Sequence, residues 1–269
     1  MPENRPPGPV RPSGQADASW RPAADVRGLN LSLIRAVLAL RGRAGRTLEV
    51  GAGTARFLRA LRRRLPEMEG YACDLESAPL AEARSLDADL RVARGDLTAL
   101  PYQDTSFDTV LVFDVFEHLY RPEEGIREVW RVLKPGGMLH SLVPCEGQPL
   151  TLHWLMWKTH IAADLKEQRV GHVQRFTHDS ITALLQREGF DVQHLRYSMH
   201  PIGQVKDIMQ HWEQGLDVAS WLTRNPLYRA VAIALWGGSY LESTVLGRVP
   251  LGAVALHITA VKPCAPCAS

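Results

Sequence analysis

The run Glu49-Val50-Gly51-Ala52-Gly53-Thr54-Ala55 places two glycines two positions apart where an apolar stretch gives way to a helical one. Without a Cβ, glycine lets the backbone come close to a ligand. The free N–H groups of a helix N-terminus directly beyond it favour an electron-rich partner. Taken alone, the pair equally suits a plain strand-to-helix turn. Two carboxylates make the position more specific. Asp74 lies 21 residues beyond Gly53, at the end of a second apolar run. Doubly wound folds place there the acid that accepts hydrogen bonds from ribose hydroxyls. Such charge-assisted contacts contribute roughly 1.5–3 kcal/mol each. Asp96 closes a third run, and ligands of open α/β sheets bind at that carboxyl edge. Together the glycine turn and the two acids outline an adenosine site.

Groups so placed require alternating strands and helices. The apolar patterns predict strands over Thr47–Val50, Gly70–Cys73, Leu90–Ala93, Thr109–Phe113, Met138–Val143, Phe190–Arg196 and Ala253–Val261. Helical spacing appears over Leu29–Leu40, Thr54–Leu65, Pro79–Leu86, Pro122–Leu133 and Thr177–Glu188. The continuous apolar character of Thr109–Phe113 marks a strand buried on both faces. Lys134-Pro135-Gly136-Gly137 is a helix stop. The alternation predicts a parallel sheet with helices on both faces.

The motifs along this scaffold resemble those of class I S-adenosylmethionine-dependent methyltransferases. Glu49-Val50-Gly51-Ala52-Gly53-Thr54 is similar to their first motif and Cys73-Asp74-Leu75 to their second. Gly95-Asp96-Leu97-Thr98-Ala99-Leu100-Pro101 with Ser106-Phe107-Asp108 resembles the third. Phe116-Glu117-His118-Leu119 and Arg131-Val132-Leu133-Lys134-Pro135-Gly136-Gly137 resemble the segments after the fourth strand and before the fifth. The likeness runs in order from about Thr47 to Val143. It implies a Rossmann-like α/β fold: a doubly wound seven-stranded sheet in the order 3-2-1-4-5-7-6, its last strand antiparallel. It also implies S-adenosylmethionine as cofactor. The loop of Glu49, Gly51, Ala52 and Gly53 would face the methionine portion, Asp74 the ribose, and Asp96 with Leu97 the adenine; Leu75 would also line the cofactor site. Phe113 and Asp114 would lie near the sulfonium. One departure is Ala55, where many members carry a third glycine; a small residue still allows close packing there.

Two long segments, 144–176 and 197–250, interrupt the alternation after strands five and six. Both leave from the cofactor edge and are expected to form a substrate lid. They carry Trp154, Trp157, Trp212, Trp221 and Trp236, five of the seven tryptophans, which suit either a largely apolar pocket or packing onto the core. Methyl transfer to a hydroxyl also needs a proton acceptor, and histidine titrates in the right range. The candidate bases are His118, after strand four, and His172 and His200, in the insertions. The adjacent Glu117 is read as a solvent-facing residue, and no metal ligands are assigned.

Composition narrows the acceptor. The 269 residues carry 31 basic and 29 acidic side chains, a net charge of +2, with only five lysines. So balanced a chain offers no large attraction to nucleic-acid phosphates. Four scattered cysteines make no disulfide framework; Cys264 and Cys267 form a C-x-x-C without a second ligand pair. Neither an apolar signal segment nor a membrane-length apolar run is visible, so a cytoplasmic protein is expected. Residues 1–22 read as a disordered Pro-rich leader, 23–263 as one methyltransferase domain and 264–269 as a tail. The expected activity is methylation of a small or medium-sized organic acceptor: an oxygen of a specialised-metabolite, quinone-like or sugar-containing molecule. The alternatives are a catalytically silent assembly subunit, or a methyltransferase acting on a lipid or protein. The stretch Pro226–Leu235 suits peripheral membrane or partner contact. Oligomeric state is left open.

Overall fold

The computed structural model describes residues 31–160, 171–213 and 225–264. The expected leader, Trp221 and Cys267 lie outside the described residues, as does the side chain of Trp212. A seven-stranded sheet runs in the order β3-β2-β1-β4-β5-β7-β6. Its strands are β1 (Gly45–Val50), β2 (Met68–Asp74), β3 (Arg91–Arg94), β4 (Phe107–Phe113), β5 (Leu133–Pro144), β6 (Asp191–Ser198) and β7 (Ala255–Val261). Pairing is parallel from β3 through β5. β7 then inserts antiparallel between β5 and β6. The implied topology is the observed one.

β4 is central, and its side chains divide between two cores as a period-2 strand requires. Val110 and Val112 join one apolar cluster with Leu48, Ile126, Val129 and Leu139. Leu111 and Phe113 join the other, with Leu40, Leu58, Leu61 and Met138. The first lies under helices α4 (Pro122–Val132) and α6 (His178–Arg187). The second lies under α1 (Leu31–Leu40) and α2 (Arg56–Arg62). α3 (Ser77–Leu86) packs beside β2 and β3. Edge strand β3 is four residues long, with arginines at both ends, which discourages further pairing.

Helix termini follow their local chemistry. α4 begins with Pro122 and carries Glu123 and Glu124 in its first turn and Arg131 in its last, complementing the helix dipole. α6 is opened by a reciprocal pair in which Thr177 and Ser180 each bond the other's backbone N–H. α2 differs from the expectation of a helix from Thr54. It starts only at Arg56, because Ala55 takes a left-handed φ of 51° and extends the glycine turn by one residue. The insertions contain α5 (Leu152–Lys158), α7 (Pro201–Glu213) and α8 (Pro226–Val245). Among the described residues no helix is long and apolar enough to cross a membrane.

Candidate active site

The loop from β1 to α2 turns through three left-handed residues, Gly51 (φ 67°), Gly53 (φ 52°) and Ala55 (φ 51°). The two glycines are small for different reasons. A Cβ on Gly51 would overlap Cγ2 of Val115, which follows β4, whereas one on Gly53 would meet nothing within 4 Å. Gly51 therefore packs, and Gly53 leaves open space above the loop. Ala52 donates its N–H to the Cys73 carbonyl at 3.1 Å, fastening the loop to the end of β2.

Asp74 completes this corner. One carboxylate oxygen accepts the Gly53 N–H at 2.7 Å and the other accepts the Glu76 N–H at 2.9 Å. The side chain is buried and held by backbone donors, with further lone pairs for hydroxyl donors. Leu75 beside it is 39% exposed, an apolar platform on the same edge. Glu49 is fully buried behind the loop and accepts the Leu58 N–H at 3.1 Å. Burial pushes its carboxyl up to about 8. After β3, Asp96 accepts both the N–H and the hydroxyl of Thr98 at 2.8 Å, closing the turn. Leu97 is buried against Gly125 in the core, so only its backbone borders the edge. Arg131 and Glu128 of α4 brace the following loop through Leu100, Tyr102 and Asp104. Phe113 ends β4 packed on Phe57. Asp114 then turns outward, exposed, at a left-handed φ of 54°.

His118 and His172 meet. Their ring centroids are 5.0 Å apart, edge to face. His118 lies on a short 3-10 turn (Phe116–His118) directly after β4. The strand of chain carrying His172 is sewn to that turn: Val173 and Gln174 donate N–H bonds to the Glu117 carbonyl at 2.9 and 3.0 Å, and the Gln174 amide reaches the Leu119 carbonyl. His118 donates from Nδ1 to the Gly171 carbonyl at 3.1 Å, and His172 from Nδ1 to the Glu146 carboxylate at 3.0 Å. Burial, with His172 adding to it, pushes the His118 imidazole down to about 4, so it is neutral at physiological pH. Glu117 is not solvent-facing as expected; it is fully buried under both rings. His200 is apart from this group. It is fully buried at the start of α7, with Nε2 against the Val249 carbonyl at 2.9 Å.

Residues 48–141 match the family model described as a methyltransferase domain. A demethylmenaquinone methyltransferase from Deinococcus radiodurans is 36% identical over 154 residues, 51% of this chain and 64% of that protein. Over this region the chain is similar to class I S-adenosylmethionine-dependent methyltransferases. A ubiquinone/menaquinone biosynthesis C-methyltransferase from Dinoroseobacter shibae is 37% identical over 37% of this chain and 42% of its own length. The chain thus spans less than two thirds of either relative. In fold, it is similar to a solved structure titled a putative sarcosine dimethylglycine methyltransferase, from Galdieria sulphuraria. That likeness has a TM-score of 0.58 and 16% identity, over 87% of this chain and 83% of that one.

The family's cofactor fits the residues present. The room at Gly53, where a Cβ would project into open space, lies beside a buried carboxylate and an exposed leucine. All three are at the carboxyl ends of adjacent strands. The insertions reach the same sheet edge and are tied to one another. His153 of α5 bonds Asp207 of α7 at 2.9 Å. Buried Gln204 accepts from Leu152 N and donates to the Met199 and Gly252 carbonyls. Glu242 of α8 caps the first N–H groups of α7. Trp157 and Trp236 are 39% and 54% exposed, so neither packs onto the core. Glu146 and Gly171 carried no sequence signal: each acts by touching a histidine distant in the chain.

Proposed function

We propose that this methyltransferase transfers a methyl group from S-adenosylmethionine to a small hydroxyl-bearing aromatic acceptor of the quinol class, in the cytoplasm. The carrying observation is the 2.7 Å bond from Gly53 N–H to Asp74 at the β1–β2 edge, which joins a backbone cradle to an acid that can accept ribose hydroxyls. The two relatives, a demethylmenaquinone methyltransferase and a ubiquinone/menaquinone biosynthesis C-methyltransferase, favour a quinone-related acceptor.

The cofactor supplies an electrophilic methyl group on a sulfonium. In this reading the loop of Glu49, Gly51, Ala52 and Gly53 holds the methionine end, and Asp74 orients the ribose. Leu75, Asp96 and the backbone of Leu97 border the adenine. Phe113 and Asp114 border the methyl group. The insertions 144–176 and 197–250 exclude water, as an in-line displacement requires of its surroundings. His118 and His172 stand beyond the end of β4 to assist loss of the acceptor's hydroxyl proton; His200 pins the base of α7. Oxygen is the favoured methylated atom because proton-accepting groups cluster at this edge. A second reading, methylation of the ring carbon beside that oxygen, is favoured by the relative named a C-methyltransferase. It requires the same deprotonated oxygen.

The test is incubation with cofactor carrying a 13C methyl group and a naphthohydroquinone. A methoxy carbon resonance in the product supports oxygen transfer, and a ring-methyl resonance supports carbon transfer. No labelled product from any phenol or quinol, by a protein that binds the cofactor, overturns the acceptor class.

A further inference from the structure

The donor atoms of Glu117, His118 and His172 all lie within 4.8 Å of one another. Proton positions follow from their outer contacts. A carbonyl can only accept, so His118 carries its proton on Nδ1, toward Gly171 at 3.1 Å. The Glu146 carboxylate likewise takes the Nδ1 proton of His172 at 3.0 Å. In a neutral imidazole the other nitrogen then holds a lone pair. Both Nε2 atoms face the same oxygen, Glu117 Oε1, at 3.9 and 3.8 Å. Those separations are too long for hydrogen bonds. Two imidazole nitrogens and one carboxylate oxygen are thus gathered beside one another, within a wall formed by buried Glu117 and His172, with His118 left 18% exposed on the open side.

This is the arrangement of a metal centre whose ligating histidines are oriented through their second nitrogen by a carbonyl and a carboxylate. With bonds of about 2.1 Å, tetrahedral ligand atoms stand roughly 3.4 Å apart. Each donor here needs to move inward by only a few tenths of an ångström. We propose that His118 Nε2, His172 Nε2 and Glu117 Oε1 bind one divalent transition-metal ion. Gly171 and Glu146 are its outer partners. Two imidazoles and one carboxylate suit zinc, iron or manganese rather than calcium or magnesium. Three protein ligands leave an open position, as in catalytic rather than structural centres.

The use of that position rests on the methyl-transfer reading above. The acceptor's hydroxyl oxygen occupies it, and coordination lowers the hydroxyl pKa. The O–H bond breaks and its proton passes to bulk water. An oxyanion electron pair, on oxygen or delocalised to the adjacent carbon, forms the bond to the methyl carbon. The C–S bond breaks with its pair remaining on sulfur. Val115 connects the centre to the cofactor loop: its side chain covers Gly51, and its carbonyl accepts the His118 N–H at 3.0 Å.

The experiment is a zinc titration by calorimetry on chelator-treated protein, in a background with Cys264→Ser and Cys267→Ser so that tail thiols do not compete. One zinc per chain is expected. Glu117→Gln, His172→Asn and the partly exposed His118→Gln should each weaken binding by about tenfold or more, with cofactor affinity retained as the check on folding. With cobalt in place of zinc, a naphthohydroquinone should shift the visible spectrum. Protein that binds S-adenosylmethionine but no zinc, or binds zinc equally well in His118→Gln and His172→Asn, overturns the metal centre. An unshifted cobalt spectrum overturns the acceptor's place on it. Zinc binding without cofactor binding would remove the methyl-transfer reading and leave the metal centre standing.

Discussion

Gly51 and Gly53 share a left-handed backbone but not the same surroundings, and substitution should separate packing from binding. Alanine at Gly53 adds a methyl group to open space and costs only the left-handed penalty of roughly 1–2 kcal/mol. It should reduce cofactor affinity at least tenfold while lowering Tm slightly. Alanine at Gly51 pays the same penalty and also collides with Val115, so its principal effect should be lost stability. Calorimetry and thermal melts on both variants check the contrast. The two glycines and Asp74 were legible in the sequence because strand ends and loop spacing are local. Glu117 was not: it reads as an acid on a surface turn. Residues 171–174 return across that turn, and Glu117 is buried there. The pairing of His118 with His172, 54 positions apart, depends on the same return.

At the level of elements, the β1–α2 unit combines a tight turn with a buried acid. Glu49 receives the Leu58 N–H inside the first turns of α2, and burial raises its pKa from 4.5 to about 8, against the opposing pull of Leu58, Arg56 and Arg59. As pH rises from 4.5 toward 8, the unfolded carboxyl loses its proton while the folded one keeps it. Folding stability therefore falls through that window. Buried His140, lowered to about 4, and buried His257, which burial holds well below its ordinary value, act oppositely: both contributions are lost as pH falls below 6.5. Glu49→Gln preserves the acceptor for Leu58 and removes the titration. Denaturant melts should show the variant gaining on the parent between pH 6.5 and 8; a constant difference across that range would refute a protonated Glu49. The strand–helix order was readable from periodicity, yet the helix start was not. Ala55 carries no glycine signature, and its left-handed conformation delays α2 to Arg56.

Across the whole molecule, Arg35 links parts far separated in sequence. From α1 its guanidinium donates to the Tyr197 carbonyl of β6 at 2.8 Å and to the Ser243 carbonyl of α8 at 3.0 Å. Helix α1 thus anchors an insertion helix through the β6 end of the sheet. Removing this partly buried cation leaves two carbonyls without their donor, a loss on the order of 2–3 kcal/mol. Arg35→Ala should melt about 5–10 °C lower, with faster amide exchange in α8 than in β4. Unchanged exchange in α8 would show that the link carries no load. The insertions were visible in the sequence as breaks in the strand–helix rhythm. Their internal ties were not, since Gln204, Glu242 and the His153–Asp207 pair find partners only after α5, α7 and α8 assemble. α8 still exposes Leu227, Ile233, Trp236, Leu241 and Val245, a surface no periodicity rule assigns to a partner.

All of these scales meet at the cofactor corner, where the loop after β1 touches the acid after β2. Calorimetric titration of the protein with S-adenosylmethionine, in parallel with Asp74→Ala, tests it most directly. The predicted result is one cofactor per chain, with affinity reduced by roughly 10- to 100-fold in the variant and a folded far-UV spectrum in both. Equal affinity in the two folded proteins, or no binding by either, would contradict it.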